Sequence, residues 1–204
     1  MSEKQKFDPS LWSDRSVEET QTLYRDWAAK YDTDVAEKGY VTPFRLAKAL
    51  APYLAGRGPV LDFGCGTGVS GGALRSEGIG PIHGTDITPE MLEIARAKGA
   101  YERLWLGTPG SPPCAPGEYQ AIVAAGVVSL GAAPPETLAT LANSLAPGGL
   151  LAFSYNDPTL LDARYVGQVQ ALISDGIAEQ VFREHGPHFS GLDMGSDIFI
   201  LQRL

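Results

Sequence analysis

The stretch Val60-Leu61-Asp62-Phe63-Gly64-Cys65-Gly66-Thr67-Gly68 decides the fold of this chain. A short apolar run enters a turn with glycine at every second position, and a segment with helical spacing follows. Glycine adopts the positive φ angles of a tight strand-to-helix turn and lets a ligand approach the main chain. About 18 residues further on, Thr85-Asp86-Ile87 places an acid at the end of a second apolar run, the spacing typical of a ribose-binding carboxylate. Together the two features predict a cofactor that contains adenosine.

Composition narrows the class of protein. The 204 residues are 44% apolar, which is enough for one domain with a substantial core. The formal net charge is −8, and no Lys or Arg lies between Arg103 and Arg164, so we expect no nucleic-acid partner. The two cysteines give no metal cluster and no disulfide framework, which predicts no metal and a reducing, cytoplasmic location. No apolar run has the length of a signal peptide or a membrane span, so we expect no membrane association. The oligomeric state stays open.

The first part of the chain, residues 1–57, is predicted to be a helical extension that acts as a lid. Ser16-Val17-Glu18-Glu19 is typical of a capping box, and an apolar and aromatic stripe at helical spacing follows it. Thr42-Pro43 predicts a second helix, with Thr42 as its cap and Gly56 at its end.

The rest of the chain, residues 58–204, is predicted to be one α/β unit, because short apolar runs alternate with helical segments. The strands are expected near 58–63, 80–85, 101–106, 119–125 and 149–155. The helices are expected near 68–77, 89–98, 135–146 and 158–175. Thr88 and Asp157 each precede a proline as a cap. Residues 177–185 and 197–203 are two further extended runs, joined by a loop over 186–196.

The identity of the adenosine cofactor depends on the charge beside the turn. Residues 66–71 also fit G-x-G-x-x-G, the fingerprint of dinucleotide binding, although that match alone is weak. A pyrophosphate would be repelled by Asp62, whereas the sulfonium and ammonium of S-adenosylmethionine (SAM) would be attracted by it. This favours SAM over NAD, and a tight turn without a ligand is the remaining alternative.

The chain resembles the class I SAM-dependent methyltransferases over nearly its whole length. Residues 61–68 resemble the first motif of that family and residues 84–99 the second. Residues 119–126 and 145–149 are similar to the segments around the fourth and fifth strands. The resemblance implies an α/β fold, a Rossmann-like doubly wound seven-stranded sheet whose last strand is antiparallel, with the N-terminal helical extension added.

A narrower resemblance is to the small stand-alone methyltransferases of the Williams–Beuren region type. It is carried by residues 31–35, 39–43 and 98–101. The wider family implies roles for single residues here: the turn holds the methionine part of SAM, Asp86 accepts the ribose hydroxyls, and Tyr24 and Tyr31 close over the cofactor. The implied cofactor-binding set is Asp62, Gly64, Cys65, Gly66, Gly68, Asp86, Ile87, Met91, Thr108, Ala125, Tyr24 and Tyr31. Thr108 departs from the family pattern, which often has an acid there.

The methyl acceptor is predicted to be a small molecule, attacked in an in-line displacement that mainly needs alignment and exclusion of water. Loops 126–133, 155–158 and 186–196 are expected around it, because ligands lie at the carboxyl ends of parallel strands. The catalytic candidates are His185, His188 and Tyr155, and the acceptor-binding candidates are Asn156, His188 and Val127. A histidine has a suitable pKa for proton removal, although both histidines could be ordinary loop residues. Two other functions remain open: a SAM- or SAH-binding domain without catalysis, where SAH is S-adenosylhomocysteine, and an NAD(P)-dependent oxidoreductase.

Overall fold

The computed structural model describes residues 9–54 and 58–204. The strands are β1 (Val60–Phe63), β2 (Ile82–Asp86), β3 (Arg103–Leu106), β4 (Ala121–Ala124), β5 (Leu150–Asn156), β6 (Ala178–Pro187) and β7 (Gly195–Arg203). The helices are α1 (Val17–Glu37), α2 (Thr42–Leu50), α3 (Val69–Ser76), α4 (Pro89–Lys98), α5 (Thr137–Asn143), α6 (Asp157–Leu160) and α7 (Ala163–Ser174). Short 3₁₀ helices span Pro9–Trp12 and Ala51–Tyr53.

The strands form a single sheet in the order β3-β2-β1-β4-β5-β7-β6. Neighbours are parallel from β3 to β5, whereas β7 runs antiparallel to both β5 and β6. This confirms the predicted seven-stranded sheet with an antiparallel last strand. Chain order reverses between β1 and β4, and such a switch point opens a crevice at the carboxyl ends of the strands. Phe63 pairs with Thr85 across β1 and β2, so the glycine turn and Asp86 emerge side by side into that crevice.

The sheet is covered on both faces, as its apolar strands require. On one face, Leu138 of α5 and Leu172 of α7 pack with Phe153 of the sheet. On the other face, Leu46 and Leu50 of α2 pack with the sheet and with α3. Helix α2 is therefore part of the core, while α1 lies across the top of the molecule against α4. None of the helices described is long and apolar enough to cross a membrane.

Some local predictions are corrected by hydrogen bonds that the side chains make. The capping box at Ser16 is present, with Glu19 as its partner. Thr42 is not a cap, because Val41 holds that position and the Thr42 hydroxyl turns instead to His188 and Ser196. The predicted end of that helix at Gly56 lies outside the described residues.

The helix predicted over 158–175 is two helices, α6 and α7. Asn156, and not Asp157, caps α6 by accepting from the Thr159 N–H. Asp162 then caps α7, since its carboxylate accepts from the Arg164 N–H. The last loop is shorter than predicted, because β6 continues to Pro187 and β7 begins at Gly195.

Candidate cofactor and acceptor site

The glycine turn between β1 and α3 exposes main chain at only one of its three glycines. All three have positive φ: 66° at Gly64, 51° at Gly66 and 89° at Gly68. A Cβ at Gly64 would lie 2.6 Å from the methyl groups of Val127, and one at Gly68 would lie 3.1 Å from the Tyr101 ring. A Cβ at Gly66 would meet nothing within 4 Å. Gly66 is therefore where a ligand can approach the backbone, whereas the protein itself fills the space beside the other two.

Asp62 lies fully buried beneath this turn. One carboxylate oxygen, Oδ2, accepts hydrogen bonds from Ser70 Oγ at 2.6 Å and from the Tyr101 hydroxyl at 2.7 Å. The other oxygen, Oδ1, is buried with no hydrogen-bond partner among the described residues. Burial raises the pKa of Asp62 to about 6, and the two hydrogen bonds act in the opposite direction. The free oxygen marks a place where a positively charged ligand group would be stabilised.

Asp86, at the end of β2, holds the glycine turn in place by a hydrogen bond from the backbone of the turn. Its Oδ2 accepts from the Gly66 N–H at 2.9 Å and its Oδ1 from the Thr88 N–H at 2.8 Å. Burial raises its pKa, against the effect of these bonds. Ile87 beside it is half-buried, and Met91 on α4 is buried. Thr108 lies exposed just beyond the end of β3.

Helix α1 forms a roof over the glycine turn. Asp32 on α1 accepts a 2.6 Å hydrogen bond from Thr67 Oγ1 and pairs with Lys98 of α4, also at 2.6 Å. At the other end of the helix, Gln21 Nε2 donates to the Ile87 carbonyl at 2.9 Å. The rings of Tyr24, Trp27 and Tyr31 pack on one another along the inner side, with centroids 4.8 to 6.4 Å apart.

A cavity of about 80 Å³ lies under this roof, next to the carboxyl ends of β4 and β5. Its wall combines aromatic rings of α1 with Gly126, Asn156 and His188, among other residues. A Cβ at Gly126 would lie 2.7 Å from the Tyr40 hydroxyl, so only glycine leaves room for Tyr40 there. The wall therefore brings together α1 and three of the predicted loops, those following β4, β5 and β6.

His188 is buried in this wall and is held by a chain of side chains from α2 and β7. Its Nδ1 lies 2.8 Å from Thr42 Oγ1, which lies 3.0 Å from Ser196 Oγ. Arg45 Nη1 in turn donates to Ser196 Oγ at 3.1 Å. Burial, together with the Arg45 charge, lowers the pKa of His188 to about 4, so the ring is neutral at pH 7.

The other two catalytic candidates lie elsewhere. His185 pairs with Asp197 at 2.7 Å, and its side chain is 61% exposed. Tyr155 is buried in the core between Phe153 and Tyr165, and its hydroxyl donates to the Tyr165 carbonyl at 3.4 Å. Neither lines the cavity described above.

The remaining candidates lie near the turn. Tyr24 and Tyr31 line the cavity, as does Asn156. Val127 packs against Gly64, and Ala125 is half-buried one residue after β4. The Cys65 thiol is buried, which raises its pKa and keeps it protonated.

Several residues of the site carry no recognisable local signal in the sequence. In the sequence, Tyr101 and Asp32 belong to segments that carry the family resemblance, but no function was predicted for either residue. Arg45 and Ser196 act together although 151 residues separate them. Only the glycines hint at Tyr101, because a Cβ at Gly71 or Gly84 would lie within 3.0 Å of its ring.

This sheet order, with a glycine turn after β1 and an acid after β2, defines the class I SAM-dependent methyltransferase fold. A family model described as a methyltransferase domain matches residues 35–197. The chain belongs to this methyltransferase family, whose cofactor is SAM.

Two similar curated proteins are also named as methyltransferases. Methyltransferase-like protein 27 of Homo sapiens is 37% identical over 134 residues, which cover 63% of this chain and 54% of that protein. The ribosomal protein L11 methyltransferase of Burkholderia cenocepacia (strain HI2424) is 34% identical over 128 residues, 62% of this chain and 39% of that protein. The chain thus spans about half or less of the length of these relatives.

Among solved structures, magnesium protoporphyrin IX methyltransferase from Synechocystis PCC 6803 with bound SAM shares the fold. Its TM-score is 0.62 at 16% identity, and the match covers 94% of this chain and all of that one. The residues found here suit SAM: Gly66 leaves main chain open, and the unpartnered Oδ1 of Asp62 offers a negative charge to a cationic ligand.

Proposed function

We propose that this chain transfers the methyl group of SAM to a small-molecule acceptor. The observation that carries the proposal is the roofed cavity of about 80 Å³ beside the carboxyl ends of β4 and β5. Its wall includes rings of α1 and the loops after β4 and β5, so an acceptor inside it would be shielded from water on those sides. A folded protein or an RNA would need a more open approach than this roof provides.

The chain's own groups account for most of what such a transfer requires. When bound, SAM supplies an electrophilic methyl group on a positively charged sulfur. Asp62 and the Gly66 backbone would hold its charged end, and Asp86 would hold the ribose. Helix α1, fastened by Asp32, would exclude water and align the acceptor for in-line displacement. The lid role that the sequence predicted for residues 1–57 is proposed here for helix α1 alone, because α2 belongs to the core. The cytoplasmic location is also part of this proposal.

Labelled SAM tests the proposal directly. The protein is incubated with methyl-tritiated SAM and either the ultrafiltered small-molecule fraction or the macromolecular fraction of an extract from its source. We expect label to enter the small-molecule fraction, with Asp86→Ala, which loses the ribose carboxylate, as the inactive control. Label that enters only macromolecules would overturn the small-molecule acceptor, which is relevant because one relative is named for a ribosomal protein. SAH binding without any transfer would favour a binding domain without catalysis.

A further inference from the structure

The polar groups of the cavity wall have fixed hydrogen-bonding directions. His188 and Asn156 both line the cavity. On the side away from the cavity, each side chain makes hydrogen bonds that determine which of its atoms carries hydrogen. The chemistry that the wall presents to an acceptor therefore follows from the contacts behind it.

The chain behind His188 begins at an arginine, which fixes its direction. The Arg45 guanidinium can only donate, so Ser196 Oγ accepts from it. Among the described residues, Thr42 Oγ1 at 3.0 Å is the one hydrogen-bond acceptor for the buried Ser196 hydroxyl, so we assign the Ser196 hydrogen to it. The Thr42 hydrogen in turn goes to His188 Nδ1 at 2.8 Å. The alternative acceptor, the His188 carbonyl, lies 3.4 Å from Thr42 Oγ1, beyond the 2.5–3.0 Å usual for such bonds.

The arrangement that gives each of these hydroxyl hydrogens an acceptor leaves Nδ1 of His188 as the nitrogen without hydrogen. A neutral imidazole carries one hydrogen, which must then be on Nε2. No hydrogen bond joins Nε2 to any of residues 9–54 or 58–204. His188 thus offers an N–H donor to the cavity, and it has no free lone pair with which to remove a proton.

Asn156 offers the same chemistry for an independent reason. Its Oδ1 accepts from the Thr159 N–H at 3.1 Å and from Thr159 Oγ1 at 2.7 Å. A backbone N–H only donates, so the atom that faces Thr159 is the oxygen, and its two lone pairs are occupied. The NH₂ group is what Asn156 can offer to the cavity.

We propose that His188 and Asn156 form a donor wall and that the methyl acceptor meets it with a carboxylate or carbonyl oxygen. This proposal rests on the proposed function, since it assumes that the cavity receives the acceptor. It gives His188 a binding role in place of the proton removal for which the sequence made it a candidate. A cationic amine would be poorly bound at this wall, because it has no lone pair to accept these hydrogens.

Nitrogen NMR on ¹⁵N-histidine-labelled protein with SAH bound reads the tautomer of His188 without any methyl transfer. His188→Gln assigns the signal among the three histidines. We expect hydrogen on Nε2 in the wild type and in Thr42→Ser, which keeps the hydroxyl. Thr42→Val, which removes the hydroxyl at nearly the same volume, should lose this preference. A wild-type ring with its hydrogen on Nδ1 would overturn the proposal.

Small probe ions test the donor wall itself. Acetate should shift the Nε2–H signal of His188, and methylammonium at equal concentration should not. Asn156→Asp keeps a good N-cap but replaces the donor by an anion, so acetate should bind at least several-fold more weakly. Asn143→Asp, the same change at an exposed position, is the matched control. The proposal fails if acetate has no effect, or if Asn156→Asp binds acetate as the wild type does. A protein that passes these tests but transfers no methyl group would refute only the proposed function.

Discussion

Tyr101 is the residue around which the glycine turn is built. Its hydroxyl donates to Asp62 and accepts from the Gly71 N–H at 3.0 Å. The ring also occupies the space that a Cβ at Gly71 would need. Gly71 is the last glycine of the apparent dinucleotide fingerprint. The Tyr101 ring is thus sufficient reason for a glycine at position 71, and a bound pyrophosphate is not needed to explain it.

Tyr101→Phe should therefore destabilise the protein. The change leaves the Gly71 N–H without its acceptor and removes one of two donors from the buried Asp62 carboxylate. We expect a loss of about 1–3 kcal/mol in the free energy of unfolding, measured by urea denaturation. Tyr53→Phe is the matched control, because the Tyr53 hydroxyl makes a single 3.3 Å bond near the surface. Equal losses in the two variants would contradict this account of Tyr101.

Asp62 predicts how SAM binding depends on pH. Its pKa of about 6 belongs to the protein without ligand, where burial disfavours the charge. A cationic ligand binds better to the ionised carboxylate, so affinity should fall as pH falls through 6, by about tenfold from pH 7 to pH 5. Asp86 acts in the same direction because its pKa is also raised. The pKa of His188, about 4, lies below this range.

Calorimetric titration with SAM between pH 5 and pH 8 measures this dependence. Asp62→Asn cannot ionise and should bind more weakly at pH 7, with a flatter pH profile. An unchanged slope in Asp62→Asn would show that Asp62 does not face the charge of SAM.

At the scale of helices and strands, sequence patterns identified the architecture but not the exact roles of cap residues. The capping box at Ser16 was correctly predicted, since all of its partners lie within four residues. Thr42 has the same local signature as a cap, yet its hydroxyl bonds to residues more than 140 positions away. The break between α6 and α7 was missed because apolar spacing continues through it. A local sequence pattern predicts structure that contacts between neighbouring residues stabilise. The site depends instead on contacts between residues that are distant in the chain.

The two loop histidines show the same limit in another way. His185 and His188 are three residues apart, and the sequence placed both in one loop. In the structure β6 ends at Pro187, so His185 lies within the strand and contacts Asp197 of β7. His188 lies just beyond the strand, where its ring contacts Thr42 of α2. His188 therefore lines the cavity, whereas His185 does not.

Helix α1 should behave as a lid whose closure depends on Asp32. Asp32→Asn removes a charge that both Thr67 and Lys98 contact. Because Asp32 is partly exposed, the loss should be about 1 kcal/mol or less, equivalent to amide hydrogen exchange several-fold faster along α1. Hydrogen exchange with mass spectrometry measures this rate. Asp26→Asn is the control on the same helix, since within residues 9–54 and 58–204 Asp26 pairs only with its exposed neighbour Arg25. If amide exchange along α1 rises equally in both variants, the Asp32 contacts with Thr67 and Lys98 do not hold the helix closed.

At the scale of the whole molecule, the cofactor site joins parts that are distant in the chain. Helix α1, the turn after β1 and the end of β2 meet at Gly66 and Thr67, whereas β6 lies at the far edge of the sheet. A ligand bound there should strengthen the contact between the N-terminal helix and the first half of the sheet. Protection from hydrogen exchange should then appear in α1, β1 and β2 and be weak in β6.

SAH should raise the melting temperature, and NADH should not. At a concentration one hundred times its dissociation constant, a ligand adds about 2.7 kcal/mol of stability, which for a chain of this size is about 5–10 °C. The specificity follows from charge: Asp62 lies buried under the turn with an unpartnered oxygen, so it favours the ammonium of SAH and repels a pyrophosphate. Differential scanning fluorimetry measures both ligands, and Asp86→Asn should reduce the SAH shift because the ribose carboxylate is lost. A comparable shift with NADH would contradict the assignment of the turn to SAM and return it to dinucleotide binding.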